Sequence, residues 1–238
     1  MIMRKYFFFA LLFCMHFSFS QNIDHLSTIL KQLKLKEKQI NLELVSQKVL
    51  PYDKTKSVVV VPKYASEVAD DYFVLDAYIL VIDNATGKII YKFVEPEAWT
   101  SDAVILTDIS VDTGLYHLNK TTRAFGIRVS YRTQSQPNPY SESNLSLYII
   151  DKNSLKEVLH NYSISRYGGE WDTKCNGEFE DSNSTIDIDK LQTNNFNNLI
   201  VKTKITKTKS VFKNDDCISK ESIKKETTKL VFNGKEYK

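Results

Sequence analysis

The 238-residue chain is poor in residues that break or decorate structure: it has seven glycines, five prolines, three cysteines, four histidines and two tryptophans. So few glycines and prolines exclude a low-complexity or collagen-like chain. Beyond residue 20 no apolar run approaches the roughly twenty residues that a membrane-crossing helix needs, so no membrane span is expected there. Setting those twenty residues aside also removes Arg4 and Lys5, which leaves 30 basic against 29 acidic residues. That balance offers no surplus for nucleic acid. The remaining histidines, His25, His117 and His160, stand in no Gly-x-Ser-x-Gly or cysteine-protease setting, which argues against a His-based hydrolase. There is no Asp-x-Asp-x-Asp-Gly run, no His-x-x-x-His and no Cys-x-x-Cys. No cofactor or metal is therefore expected, with room only for one weak calcium site among the carboxylates around Trp171.

What is present begins with a leader. Arg4 and Lys5 precede an apolar run from Tyr6 to Phe17, and Ser18-Phe19-Ser20 supplies small residues where a signal peptidase reads. Residues 1–20 read as a signal peptide, with the mature chain starting at Gln21 and a periplasmic or secreted destination. Phe13 before Cys14 is too large for a lipoprotein-processing site. Without Cys14, Cys175 and Cys217 are the only cysteines. An oxidising compartment, polar turn-rich surroundings and a separation of 42 residues predict a disulfide between them.

Residues 21–50 form a lead-in with one amphipathic helix, since Leu26, Ile29, Leu30 and Leu33 recur at helical spacing and Asn22 or Asp24 can cap it. Residues 51–238 read as a single β-rich domain. Val58 to Val61 is a β-branched run suited to a strand covered on both faces. Tyr72–Asp83 and Lys88–Phe93 flank Asn84-Ala85-Thr86-Gly87, a hairpin in which Gly87 supplies the positive φ. Val104–Val111 is a strand, and Asp112-Thr113-Gly114 a turn. Leu145, Leu147 and Ile149 lead through Asp151–Ser154 to Leu155–Leu159, another hairpin. Ile186 and Ile188, then Val201, Thr203 and Ile205, alternate with polar residues, while Lys207 and Lys209 are expected to guard an edge strand against pairing. Asn233-Gly234 favours a tight type I′ turn. The strand–turn–strand pattern at Asp83, Asp151 and Asn233 predicts an antiparallel all-β fold, propeller-like first and a sandwich second.

The candidate site lies between Arg123 and Glu180. Phe125, Ile127, Val129 and Tyr131 share one face of a strand, which leaves Arg128 on the other. Pro137 and Pro139 force the chain out of the sheet in a stiff loop bearing Asn138 and Tyr140, and Tyr167–Asp172, with Gly168 and Gly169, reads as a second loop. Arg128, Asn138, Tyr140, Glu170 and Trp171 are the candidate binding residues, since exposed Tyr, Trp and Arg are common interface anchors. The alternative structural role for Trp171 and Tyr140 is to plug the ends of the sheets. Glu170, Asp172, Glu178, Glu180 and Asp181 crowd around Trp171, and paired carboxylates there raise the rival reading of a carbohydrate-active enzyme. The favoured reading is a non-enzymatic binding protein with a protein or cell-wall partner.

AFGIRVSY (124–131), NPY (138–140) followed by LSLYI (145–149), and GEWDTKCNGEFE (169–180) together resemble a family of secreted proteins of Gram-negative bacteria without an assigned activity. The resemblance runs from Val58 to the C-terminus. More distantly, the strand order and the closing LVFNGKEYK (230–238) are similar to β-propeller-like periplasmic proteins that inhibit peptidoglycan hydrolases and act as immunity proteins. That resemblance implies an inhibitor role, although the Asp-x-Asn-x-Asp-Gly calcium loop of those proteins is missing from this chain.

Overall fold

The computed structural model describes residues 25–66 and 72–238. The proposed signal peptide and the helix-capping residues Asn22 and Asp24 lie outside the described residues. The helix α1 (Leu26–Leu33) forms where the periodicity placed it. His25, in the left-handed region, stands at its N-cap, and the His25 ring contacts the Asn84 carbonyl oxygen at 3.0 Å. Gln32 donates to the Gly87 carbonyl and accepts from the Ile89 amide. A Cβ on Gly87 would collide with His25, so this glycine serves both its φ of +67° and the docking of α1.

Two short 3-10 turns lead into β1 (Ser46–Leu50), β2 (Asp53–Tyr64), β3 (Phe73–Asp83) and β4 (Ile89–Ser101), an antiparallel four-stranded sheet in sequence order. The chain then builds β5 (Ile105–Asp112), β6 (Phe125–Arg132), β7 (Tyr140–Asp151), β8 (Ser154–Trp171), β9 (Gly177–Thr193), β10 (Phe196–Lys213) and β11 (Asp216–Leu230), a second antiparallel sheet in sequence order. The all-β, antiparallel class follows the sequence. The propeller does not close, because the strands join into sheets of four and seven rather than small radial blades.

Side-chain alternation explains the layers. Val58, Val60, Leu75, Ala77, Ile79 and Val81 of the small sheet meet Leu106, Ile109, Val111, Phe125, Ile127 and Val129 of the large one, forming the sandwich core. The interleaved Val59, Val61, Leu80 and Ile82 face outward and are covered by Ile29 and Leu30 of α1 with Ile40 and Val45. The valine run is thus buried on both faces, as read. On the far side of the large sheet, Leu145, Leu147, Ile149, Leu199 and Val201 are covered by Tyr116, Leu118, Phe232 and Tyr237.

That far cover exists because β8 and β9 pair only from Ser165 to Trp171 with Gly177 to Asn183. Below Ser165 they part. The C-terminal segment enters the gap, with the Tyr237 amide donating to the Val158 carbonyl at 2.7 Å and the Tyr237 hydroxyl to the Asn197 carbonyl at 2.8 Å. Phe232 and Tyr237 form a bridge around the closing turn. Only Gly234 there has positive φ, so the turn is not of type I′, which needs two such residues.

Above the core, β8 to β11 continue as a projecting arm. From Val201, the last fully buried residue of β10, the strand runs on to Lys213, about 40 Å at the usual strand rise. Every residue of β11 except Leu230 is exposed. Lys207 and Lys209 do not guard an edge, since β11 pairs along the outer side of β10. They face Glu180 and Glu178 of β9 and form ion pairs with them.

Candidate functional site

The sequence Tyr167-Gly168-Gly169-Glu170-Trp171, expected as a loop, is the last stretch of β8. Gly169 meets a packing need rather than a turn, whereas a Cβ on Gly168 would make only ordinary contacts. A Cβ at Gly169 would collide with the Phe179 ring directly opposite, and one at Gly177 with Trp171. Aromatic side chains therefore lie over bare backbone across the ladder. The turn is Asp172–Asn176, and Cys175 within it is joined to Cys217 at the start of β11, with Cα atoms 5.7 Å apart. The predicted disulfide thus ties the two hairpins at the tip of the arm.

The ladder assigns each arm residue to a face, because direct cross-strand partners share a face and neighbours along a strand alternate. Trp171 pairs with Gly177, Gly169 with Phe179 and Tyr167 with Asp181; Gly177, Phe179 and Asp181 pair in turn with Ser210, Thr208 and Thr206. Extending the register to β11 places Tyr167, Trp171, Phe179, Phe212 and Ile223 on one face, among threonines and serines and the charged Asp181, Lys204, Glu221 and Lys225. The opposite face carries Glu170, Glu178, Glu180, Lys207, Lys209, Lys220 and Lys224, with the apolar Ile205, Val211 and Ile218 among them. The aromatic rings of the arm strands thus share one face, called here the aromatic face, and the Lys–Glu pairs lie on the other, the ionic face.

On the aromatic face, Tyr167 stacks on Phe179 with ring centroids 6.1 Å apart, and Trp171 tilts against the same ring at 6.1 Å. These rings line a shallow recess of about 580 Å³ with Gln136, Pro139 and Thr173. The Trp171 indole N–H donates to the Gln136 carbonyl at 2.6 Å, and the backbone amides of Trp171 and Gly169 donate to the Pro137 and Pro139 carbonyls. The proline loop leaves its own ladder as expected, then lies along the end of β8. Phe212 near the tip is 60% exposed and Ile223, level with Tyr167, is 57% exposed, values no core accounts for.

The five candidate residues separate on this frame. Trp171 lies on the aromatic face, and Asn138 is exposed in the loop that Trp171 holds. Glu170 is on the ionic face directly opposite Glu178. Tyr140 pairs with Gly168 on that same face; its hydroxyl donates to Glu142 at 2.8 Å and its ring lies under Arg166. Arg128 belongs to none of this. It pairs with Leu145 inside the sheet and donates through Nε and Nη2 to Asp112 Oδ2 at 2.8 and 2.6 Å, an oxygen that also accepts from the Tyr116 hydroxyl at 2.8 Å. Burial alone would raise the Asp112 pKa, yet those donors and the Gly114 amide outweigh it and hold the carboxyl below its ordinary value. Burial and the Asp112 charge push the Tyr116 phenol up to about 12. Arg128 thus serves the sheet as an ion pair with Asp112.

The carboxylates around Trp171 do not converge. Asp172 accepts from the Cys175 and Lys174 amides and from Asn176 Nδ2, which lowers its pKa to about 2. Such an acid is a capping group for the turn and cannot shuttle protons near neutrality. Glu178 and Glu180 are held by lysines, and Glu170 is exposed on the arm rather than in a cleft.

A different group does converge, and sequence reasoning missed it. Glu95 of β4 and Glu157 and His160 of β8 come together where the two sheets face each other. His160 Nδ1 lies 3.0 Å from Glu157 Oε2, and the Tyr148 hydroxyl donates to Glu157 Oε1 at 3.1 Å. Burial first, and the Glu157 charge second, raise the pKa values of Glu95 and of the Tyr148 phenol. The only signal in the sequence is Glu157-x-x-His160, which in a regular strand would put the two side chains on opposite faces.

Compared with protein-family models, with curated proteins and with solved structures, the chain has no match.

Proposed function

We propose that this is an exported, non-enzymatic binding protein that holds a macromolecule of the cell envelope against the aromatic face of its β-arm. The carrying observation is the arm itself: about 40 Å of antiparallel sheet beyond the sandwich core, braced by a disulfide and lined on one face by Tyr167, Trp171, Phe179, Phe212 and Ile223. Tyr167, Phe212 and Ile223 stay exposed and Trp171 and Phe179 half-buried, and exposed aromatic surface of this kind is characteristic of interaction sites. The Lys207–Glu180 and Lys209–Glu178 pairs lie on the opposite face and satisfy each other there, which favours association through the side that bears the rings. The resemblance to inhibitors of peptidoglycan hydrolases names the class of partner to try first, and the disulfide accords with an oxidising compartment.

The test is inhibition and co-purification with peptidoglycan hydrolases, comparing Trp171→Ala with Glu170→Ala. Loss of the indole at the centre of the contact is expected to cost about 2 kcal/mol of binding or more, and loss of the carboxylate well under about 1 kcal/mol. Equal effects of the two variants would contradict a one-sided contact.

A further inference from the structure

Where β4 faces β8, the backbone is shaped to gather three ligand-type side chains. A carboxylate oxygen of Glu95, one of Glu157 and a ring nitrogen of His160 all lie within 4.8 Å of one another. In β8, Tyr148 pairs with Glu157, Leu147 with Leu159 and Leu145 with Tyr162, so one extra residue is inserted on each side of Leu159. These bulges break the two-residue alternation and let Glu157 and His160, three apart, meet. In β4, Glu95 and Trp99 pair with Ala77 and Leu75, so two extra residues bulge beside Glu95. Both strands are irregular where the three side chains converge.

Beside them is a small recess of about 100 Å³, lined by Glu95, His160, Asn144, Ser146 and Tyr148. Asn144 is only 7% exposed, and its side chain lines the recess. Its neighbours are satisfied, Ser146 accepting from the Asn161 amide and Tyr148 donating to Glu157.

From these observations we infer that Glu95, Glu157 and His160 form a divalent metal site, best suited to zinc, with an open coordination position toward Asn144. Donors no more than 4.8 Å apart share a point within about 2.8 Å of each, against zinc bonds of ~2.0–2.2 Å, so small side-chain rotations complete the shell. One imidazole and two carboxylates favour a first-row transition ion over calcium or magnesium, which take oxygen ligands. Tyr148 fixes Glu157 from behind, as groups behind metal ligands commonly do. The ion would replace repulsion between two close carboxylates by a shared attraction and clamp the small sheet to the large one.

The test titrates tag-free protein, its disulfide intact, with zinc chloride by calorimetry and thermal melting, with calcium in parallel. The expected result is uptake of one zinc per chain with a raised Tm, weakened at least ~10-fold by His160→Ala and by Glu157→Gln and unaffected by His117→Ala. Three results would overturn the site: no uptake at about 1 mM zinc, uptake untouched by His160→Ala, or calcium bound as tightly as zinc. Because Glu157 also holds the buried Tyr148, the decisive variant is His160→Ala, which removes an exposed ring.

Discussion

The guanidinium of Arg128 and the hydroxyl of Tyr116 converge on one oxygen of Asp112, whose side chain keeps 16% exposure, so removing the guanidinium strands a half-buried carboxylate. Arg128→Ala is expected to lower stability by about 2 kcal/mol, since breaking a partly buried charged pair costs more than its net worth. Chemical denaturation measures this, and binding through the arm should be unchanged. Asp172 is a case of a carboxyl held by the turn it caps. Its folded pKa of about 2 lies below the ordinary 3.8, so its contribution to the tip is complete above the ordinary value and fades as pH falls toward 2. Carbon-detected NMR titration should place the Asp172 carboxyl near 2, and amide exchange at Lys174 and Cys175 should quicken only below about pH 4.

At the scale of the element, the arm depends on the bond between Cys175 and Cys217. Closing a 42-residue loop is worth about 4 kcal/mol on chain entropy alone, an upper figure because the unbridged chain retains structure. Cys217→Ser is therefore expected to quicken hydrogen exchange in β9–β11 beyond Val201 and to leave the sandwich strands protected; uniform loss across both sheets would contradict an independent arm. The elements also show what the sequence made legible. The valine run, the hairpin at Gly87 and the alternating strands of β6 and β7 were readable because one or both faces meet a core. β11 was not, because both its faces are wet and Lys, Glu and Thr carry no period. The glycine pair of β8 imitates a loop, since nothing local reveals the Phe179 ring that crosses above Gly169. The Glu95, Glu157 and His160 group escaped for a similar reason: it spans two sheets, and bulges erase the alternation that would have placed His160 beside Glu157.

At the scale of the whole molecule, the two sheets divide the work. The sandwich, closed outside by α1 and on the far side by the C-terminal segment, supplies a rigid base. The larger sheet outgrows its partner and offers the surplus as a two-faced arm. Export is the proposal that the bridge at the tip accords with, since such bonds persist in oxidising compartments. Intact-mass analysis of envelope protein is expected to show a chain beginning at Gln21, whereas a cytoplasmic protein retaining Met1 would remove the compartment from the account.

The central claim, that the partner sits on one face of the arm, is tested most directly by site-specific photo-crosslinking in cells. A photoreactive residue in place of Tyr167 or Phe212 should give one discrete adduct, and the same residue in place of Lys207 or Lys220 should give none. Adducts from both faces alike, or from Lys207 and Lys220 alone, would contradict it.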